Sequence, residues 1–125
     1  MIDEFVSVGC SKILSIIAPQ TCYCNQSIVN AMDKYLPSKK KISAEIHVPD
    51  KKNLRLQFRT MLQANNKSNG YFINNLEQAE IFAEESLNSH LVPGRDFHLI
   101  VADFIRGNRQ QSLPTGTSLY LHVVS

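Results

Sequence analysis

Regular alternation of apolar and polar residues on both sides of a turn-forming segment is the feature that most constrains the fold of this chain. In KISAEIHV, residues 41–48, every second residue is apolar, and LRLQFRTML, residues 54–62, begins with the same pattern. The segment PDKKN lies between the two stretches. Because side chains alternate between the two faces of a strand, this period is typical of strands with one buried face. The sequence therefore predicts a β-hairpin whose two apolar sets share one face.

The N-terminal part of the chain has the pattern of two short helices. Residues 2–17 follow helical spacing in part, although Gly9 and several β-branched residues weaken the pattern. Asn25 or Ser27 can cap a second helix that ends at Tyr35, two residues before a proline. Both helices are expected to precede the hairpin.

Past the hairpin, the pattern indicates a loop, a longer helix and two further strands. Residues 65–70 (NNKSNG) are expected to form the loop, and Asn74 or Asn75 caps the helix. Residues 97–105 are apolar at nearly every position, as in a central strand, and residues 117–124 form the last strand. The inward stripe of the helix consists of Leu76, Ala79, Phe82, Ala83 and Leu87.

These elements give a single α+β domain. The predicted order is α-α-β-β-α-β-β, with one four-stranded, mostly antiparallel sheet and the long helix packed on one face. The helical N-terminal part covers residues 1–37, and the ββαββ unit covers residues 38–125. A chain of 125 residues, 43% of them hydrophobic, is long enough to bury one such core.

The three cysteines allow more than one chemistry. Cys22 and Cys24 have a single residue between them, whereas paired zinc ligands are usually two or more residues apart, and no second pair completes a set of four. A disulfide from Cys10 to either of them is a second interpretation. We favour structural or incidental cysteines over both, and we expect no metal and no cofactor.

Four histidines raise the question of catalysis. Three of them, His47, His98 and His122, fall in predicted strands, and His98 could face His122 across two neighbouring strands. No glycine-flanked serine, HExxH motif or P-loop accompanies them, so no residue is assigned a catalytic role. We therefore expect that the chain is not an enzyme.

The distribution of charge points to a binding function. Residues 34–67 hold nine basic and two acidic residues, a net charge of +7, whereas the rest of the chain carries −5. A field divided in this way steers a partner of opposite charge. The partner-binding residues are expected on the polar face and at the tip of the basic hairpin: Lys51, Lys52, Arg55, Arg59, His47 and Glu45.

The sequence thus predicts a small non-catalytic protein that binds another protein through this hairpin, as an inhibitor, an immunity-type partner or a regulatory subunit does. The alternative is a nucleic-acid-binding accessory protein or transcriptional regulator, since a basic ribbon can enter a groove or follow phosphates. Protein binding comes first because the hairpin lacks interleaved aromatic residues on which bases could stack. A solvated hairpin with lysine-protected edges is the third interpretation.

Two further expectations concern location and assembly. The apolar run at residues 13–18 is far shorter than the roughly 20 residues of a membrane span, and Asp3 and Glu4 stand where a signal peptide carries positive charge. A cytoplasmic protein without membrane contact is therefore expected. The last strand is apolar on both sides, and if one side is left uncovered it is a docking surface or a seam for a homodimer through a sheet edge. The alternative, which we favour slightly, is that the N-terminal helices cover it.

Overall fold

The computed structural model describes residues 2–17, 43–47, 50–106 and 112–124, and these ranges contain three helices and five strands. The elements in chain order are α1 (Ile2–Ser7), β1 (Lys12–Ile16), β2 (Ser43–His47), a 3-10 turn (Lys51–Asn53), α2 (Leu54–Gln63), β3 (Asn69–Ile73), α3 (Leu76–Asn88), β4 (His98–Arg106) and β5 (Thr117–Val124). The helix predicted between Asn25 and Tyr35 lies outside the described residues.

The five strands form one parallel sheet in the order β2-β1-β3-β4-β5. The predicted four-stranded, mostly antiparallel sheet is therefore wrong. Parallel neighbours cannot be joined by a tight hairpin and need a crossover, usually a helix. Helix α2 supplies the crossover from β2 to β3, and α3 supplies the one from β3 to β4. The strand order reverses between β1 and β3, as in doubly wound α/β folds.

Helix α2 occupies the segment that was predicted as the second strand of the hairpin. Leu54, Leu56 and Phe58 fit a strand, but Leu54, Phe58 and Leu62 fit a helix equally well, and Leu56 decides between them. Phe58 and Leu62 are buried, whereas Leu56 is 58% exposed. Most residues of α2 are good helix formers, with Thr60 its one β-branched residue. The hairpin does not exist.

The predicted helix at residues 2–17 is a short helix followed by a strand. Gly9 has a φ of 83°, the left-handed conformation that ends many helices, and the Cys10 amide donates to the Phe5 carbonyl across it at 3.0 Å. The β-branched residues that weakened the helical pattern, Ile13 and Ile16, lie in β1. There they are fully buried, between β2 and β3 in the sheet.

The predicted loop at residues 65–70 overlaps strand β3, all five residues of which are buried. Gly70 makes this strand fit beneath α1. A Cβ atom at this position would overlap the ring of Phe5 and approach Cys10 Sγ to 3.1 Å. The glycine that suggested a turn is therefore required by close packing.

Three predicted elements are confirmed. Helix α3 begins after Asn75, whose side chain accepts a hydrogen bond from the Gln78 amide at 2.9 Å, and strands β4 and β5 occupy the last two predicted segments. Strand β4 is central, with Leu99, Ile100 and Val101 fully buried. Of the predicted helix stripe, Leu87 is instead 49% exposed.

The core has a layer on each face of the sheet. On the α2/α3 face, three aromatic rings pack around Phe82, whose ring centroid lies 4.9–5.8 Å from those of Phe58, Tyr71 and Phe97. On the α1 face, Phe5 packs with Phe72 and other residues of the sheet. Strands β3 and β4 contribute to both layers, which explains their nearly continuous apolar sequences.

Ten residues, 107–116, connect β4 to its parallel neighbour β5. Such a length can span about 33 Å when extended, while the eight paired residues cover about 26 Å, so no helix is needed to return the chain. The connection passes α3, where the Ser112 hydroxyl donates to Glu80 Oε2 at 2.7 Å. Gly116 then packs against Pro93 and Gly94 so closely that a Cβ atom would overlap the Pro93 carbonyl. These contacts fix where β5 begins.

Candidate interaction site

The predicted binding residues do not form one polar ribbon, because the hairpin that was to align them is absent. The structure distributes them over three elements in chain order: Glu45 and His47 in β2, Lys51 and Lys52 in the 3-10 turn, and Arg55 and Arg59 in α2. What remains of the prediction is a group of basic residues in the 3-10 turn and the first half of α2, which follow the edge strand β2 in the sequence.

The two arginines of this set bind carboxylates of helix α3. Arg55 donates to Glu84 Oε2 at 2.9 Å and to Glu85 Oε1 at 3.3 Å, and Arg59 Nε donates to Glu85 Oε2 at 3.2 Å. The Glu85 side chain is only 4% exposed, whereas both arginine side chains are about half exposed. The arginines therefore hold a buried carboxylate between α2 and α3.

The pKa of Glu85 is lowered from its ordinary value of 4.5, first by the hydrogen bond from Arg59, against an opposing effect of burial, and then by Arg55. The charged form of Glu85 is thus the form that the fold stabilises. A partner that took either arginine would leave this carboxylate short of donors. The arginines are consequently poor candidates for an intermolecular contact.

The carboxyl end of the sheet, where ligands bind in many doubly wound folds, is closed by the chain itself at α3. The Leu76 amide donates to Asp103 Oδ2 at 2.8 Å, and the Gln78 amide donates to the Asn75 side chain. These are amides that would otherwise receive an anion at a helix N-terminus. An internal carboxylate and an internal amide already occupy them, so this end carries no phosphate-binding arrangement at α3.

The sequence had allowed His98 to face His122 on a neighbouring strand, but in the structure the two histidines are far apart. His122 pairs with Phe104 in the sheet register, six residues beyond His98 along β4, or about 20 Å. His98 Nε2 instead lies 3.0 Å from Glu4 Oε2, and the Tyr120 hydroxyl donates to Glu4 Oε1 at 2.9 Å. This cluster ties α1 to β4 and β5.

Glu4, His98 and Tyr120 form a hydrogen-bonded cluster that stabilises the charged form of Glu4. Burial alone would raise the pKa of Glu4, but hydrogen bonds from His98 and from the hydroxyls of Tyr120 and Ser118 lower it below its ordinary value. The ring of Phe5 meets His98 edge-on at 5.7 Å. His98 is the first residue of β4, so the cluster lies at the amino end of the strand, opposite the end where α/β folds bind ligands. We assign it the structural role of holding α1 on the sheet.

Strand β5 is an edge strand with exposed apolar side chains and no charged residue. It forms one edge of the sheet, with β4 its only neighbour among the described strands. Leu119 and Tyr120 are 36% and 53% exposed, and Phe104, on the adjacent β4, is 58% exposed. Between Arg109 and the last residue of the sequence there is no Asp, Glu, Lys or Arg. We call Thr117–Val124 the uncharged edge.

Long, apolar edge strands usually carry a device that prevents pairing with another chain, such as a lysine, a proline or a short length. Strand β2, at the opposite edge, has five residues with Glu45 at its centre. The uncharged edge is eight residues long and contains neither a charge nor a proline. A strand of this kind is able to accept another strand, and its signal in the sequence is the absence of charge after Arg109.

Other site types find no support in the part of the chain that the structure describes. Within these residues, no group of three or more His, Cys, Asp or Glu is placed to hold a metal ion. No helix in the same ranges is long and apolar enough to cross a membrane. Cys10 is a buried thiol outside any disulfide, and burial raises its pKa.

No protein-family model matches this chain, and it matches no curated protein and no solved structure. The functional assignment therefore depends on the residues of this chain alone.

Proposed function

We propose that this chain is a non-catalytic protein that binds another polypeptide, and that an extended strand of the partner docks along β5. The observation that carries the proposal is the uncharged edge: eight residues without charge or proline, at an edge of the sheet formed by the described strands, with Leu119 and Tyr120 exposed within it. The docking surface thus moves from the predicted basic hairpin to the opposite edge of the sheet.

Docking by strand addition uses two kinds of contact. Backbone N–H and C=O groups of the edge pair with those of the incoming strand and supply affinity, while side chains on alternate positions supply specificity. Leu119 and Tyr120, which follow one another in β5, point to opposite faces of the sheet. A bound strand would therefore contact apolar side-chain surface on both faces, and β5 itself carries no Asp, Glu, Lys or Arg. On the α1 face, the Tyr120 hydroxyl already donates to Glu4 of this chain, so the ring and not the hydroxyl is the contact surface.

The roles that suit such a surface are those of an inhibitor, an immunity-type partner or a regulatory subunit, each of which acts by occupying another protein. A nucleic-acid function is less well supported because Arg55 and Arg59, the basic residues expected to contact phosphates, are bound to Glu84 and Glu85. A cytosolic location belongs to the proposal, since the thiol of Cys10 is outside any disulfide, as is usual in a reducing compartment.

The test compares two leucine-to-lysine variants as baits in lysate of the source cells, with and without nuclease. Leu119→Lys places a charge on the uncharged edge, and Leu56→Lys places the same charge on the exposed side of α2. Support requires a protein partner that wild type and Leu56→Lys recover equally, that Leu119→Lys loses, and that survives nuclease. A partner that Leu119→Lys retains overturns the assignment of β5, and recovery that disappears with nuclease supports nucleic acid instead.

A further inference from the structure

We infer that the strand which docks on β5 is β5 of a second copy of this chain, so that the protein is a two-fold symmetric dimer. The inference rests on the proposed use of the β5 edge and names its occupant. The two strands run antiparallel, with the two-fold axis perpendicular to the sheet at Tyr120. Two five-stranded sheets then join into one continuous sheet.

The first support is the sequence of the strand itself. A two-fold interface requires that residue i meets residue j and that j meets i. Around Tyr120, the strand TSLYLHV reads alike in both directions: leucine lies on either side, then a polar residue, then a β-branched residue. In the register centred on Tyr120, Leu119 of one copy is opposite Leu121 of the other. An arbitrary partner strand would not need this symmetry.

The second support is electrostatic. Residues directly opposite in an antiparallel pair come within about 5 Å, and like charges there are destabilising. Two copies of the uncharged edge bring no charges together. The same operation on β2 would place Glu45 opposite its own copy, because Glu45 is the central residue of that strand. Self-pairing is therefore compatible with β5 and opposed at β2.

The third support is closure. Among the described strands, pairing through β5 uses the one uncharged edge of each copy and leaves β2 at both ends of the joined sheet. Since β2 is short and carries Glu45, further strand addition is blocked. The association is thus predicted to stop at two copies and not to continue into fibres, which is the usual hazard of an apolar edge.

Sedimentation analysis of the full chain over a concentration series, from about 1 μM to about 100 μM, tests the inference. Wild type is expected to pass from monomer to dimer with no larger species. Leu119→Lys, present twice in a symmetric dimer, is expected to weaken association on the order of tenfold. Leu56→Lys, which adds the same charge on α2, is expected to match wild type.

Each other outcome has a definite meaning. A wild-type monomer throughout the series, or growth beyond two copies, overturns the inference whatever the variants do, so misfolding of a variant does not protect it. A dimer that Leu119→Lys leaves unchanged places the seam elsewhere and overturns it too. If wild type is monomeric while lysate capture remains sensitive to Leu119→Lys, the second copy is wrong and the proposed docking along β5 stands.

Discussion

The two sides of this sheet differ in how they use charge. On one side, β2 carries Glu45, the 3-10 turn and α2 carry basic residues, and the arginines of α2 are bound by Glu84 and Glu85 of α3. On the other side, β5 carries no charge and leaves Leu119 and Tyr120 exposed. We refer to these as the charged side and the uncharged edge.

The difference teaches that a concentration of charge in a sequence does not by itself mark a binding surface. On the charged side, Arg55 and Arg59 stabilise a buried carboxylate, and Glu45 is the central residue of β2, a position at which a charge disfavours pairing with another strand. Within the residues that the structure describes, the uncharged edge has no such charge, which is why we propose it as the docking strand. The side with fewer charged residues is therefore the better candidate for docking.

The largest expected change in stability comes from removing a phenylalanine ring from the core of the charged side. Removing one beside the uncharged edge should cost much less. Phe82 is fully buried beneath the charged side, in contact with three other rings, so Phe82→Ala should lower the free energy of unfolding by about 3–5 kcal/mol. Phe104, 58% exposed next to the uncharged edge, is its matched control, and Phe104→Ala should cost less than about 1 kcal/mol. Urea unfolding of both variants at low protein concentration measures the difference. Equal losses would contradict the division into a closed and an open side.

Acid should reveal the buried carboxylate of the charged side. Because the pKa of Glu85 is lowered by folding, its contribution to stability is present above the ordinary value of 4.5 and is lost as the pH falls through the folded pKa. Glu85→Gln should therefore be less stable than wild type at neutral pH, with the gap narrowing below pH 4.5. Glu84→Gln, at a side chain that is 64% exposed and paired with Arg55, is the control and should lose less at neutral pH. A gap for Glu85→Gln that does not depend on pH would show that the ion pairs are not what holds this carboxylate.

Removing the side-chain cap of α3 should have a smaller effect on stability. Asn75→Ala removes the oxygen that accepts from the Gln78 amide and should cost about 1 kcal/mol of stability, by thermal or urea unfolding. Asn75→Ser, which keeps a capping oxygen, should recover most of the loss. If both substitutions are neutral, the helix start is not held by this contact.

The smallest effect on stability should come from the substitution that matters most for association. Leu119→Lys changes an exposed side chain, so the unfolding free energy of the monomer should shift by less than about 0.5 kcal/mol. Its midpoint in urea, measured at a concentration where wild type is also monomeric, should match that of Leu56→Lys. A large loss for Leu119→Lys alone would mean that Leu119 belongs to the core and not to a docking edge.

The elements predicted correctly are those for which capping residues, spacing of apolar residues and length all indicate the same secondary structure. Helix α3 has a capping asparagine and a buried stripe, and β4 is apolar at nearly all positions, so each was found with its type correct. The pattern at residues 54–62 satisfied two periods at once, and only the exposure of Leu56, which packing determines, separates helix from strand. The sheet was predicted to be mostly antiparallel for a related reason. Once residues 54–63 are a helix that connects β2 to β3, those two strands can run parallel, whereas a hairpin would make them antiparallel.

The last strand was named from the sequence as a candidate dimer seam, but the concentration of charge placed the predicted binding residues on the basic hairpin instead. The ion pairs of Arg55 and Arg59 join residues about 26–30 positions apart, which no local pattern predicts. The position of β5 at an edge depends on the strand order, which the sequence did not reveal. The absence of charged residues after Arg109 is a property of the sequence, but it indicates a strand open to pairing only when that strand lies at an edge of the sheet.

Hydrogen exchange of backbone amides at low and high protein concentration tests the central claim most directly. If β5 pairs with its copy, exchange in peptides covering Thr117–Val124 should slow as the concentration rises, while exchange in β2, Ser43–His47, should stay the same. Leu119→Lys should abolish the slowing and Leu56→Lys should preserve it. Exchange in β5 that is the same at every concentration, or slowing that appears at β2 instead, would contradict the claim that the uncharged edge is where this protein meets its partner.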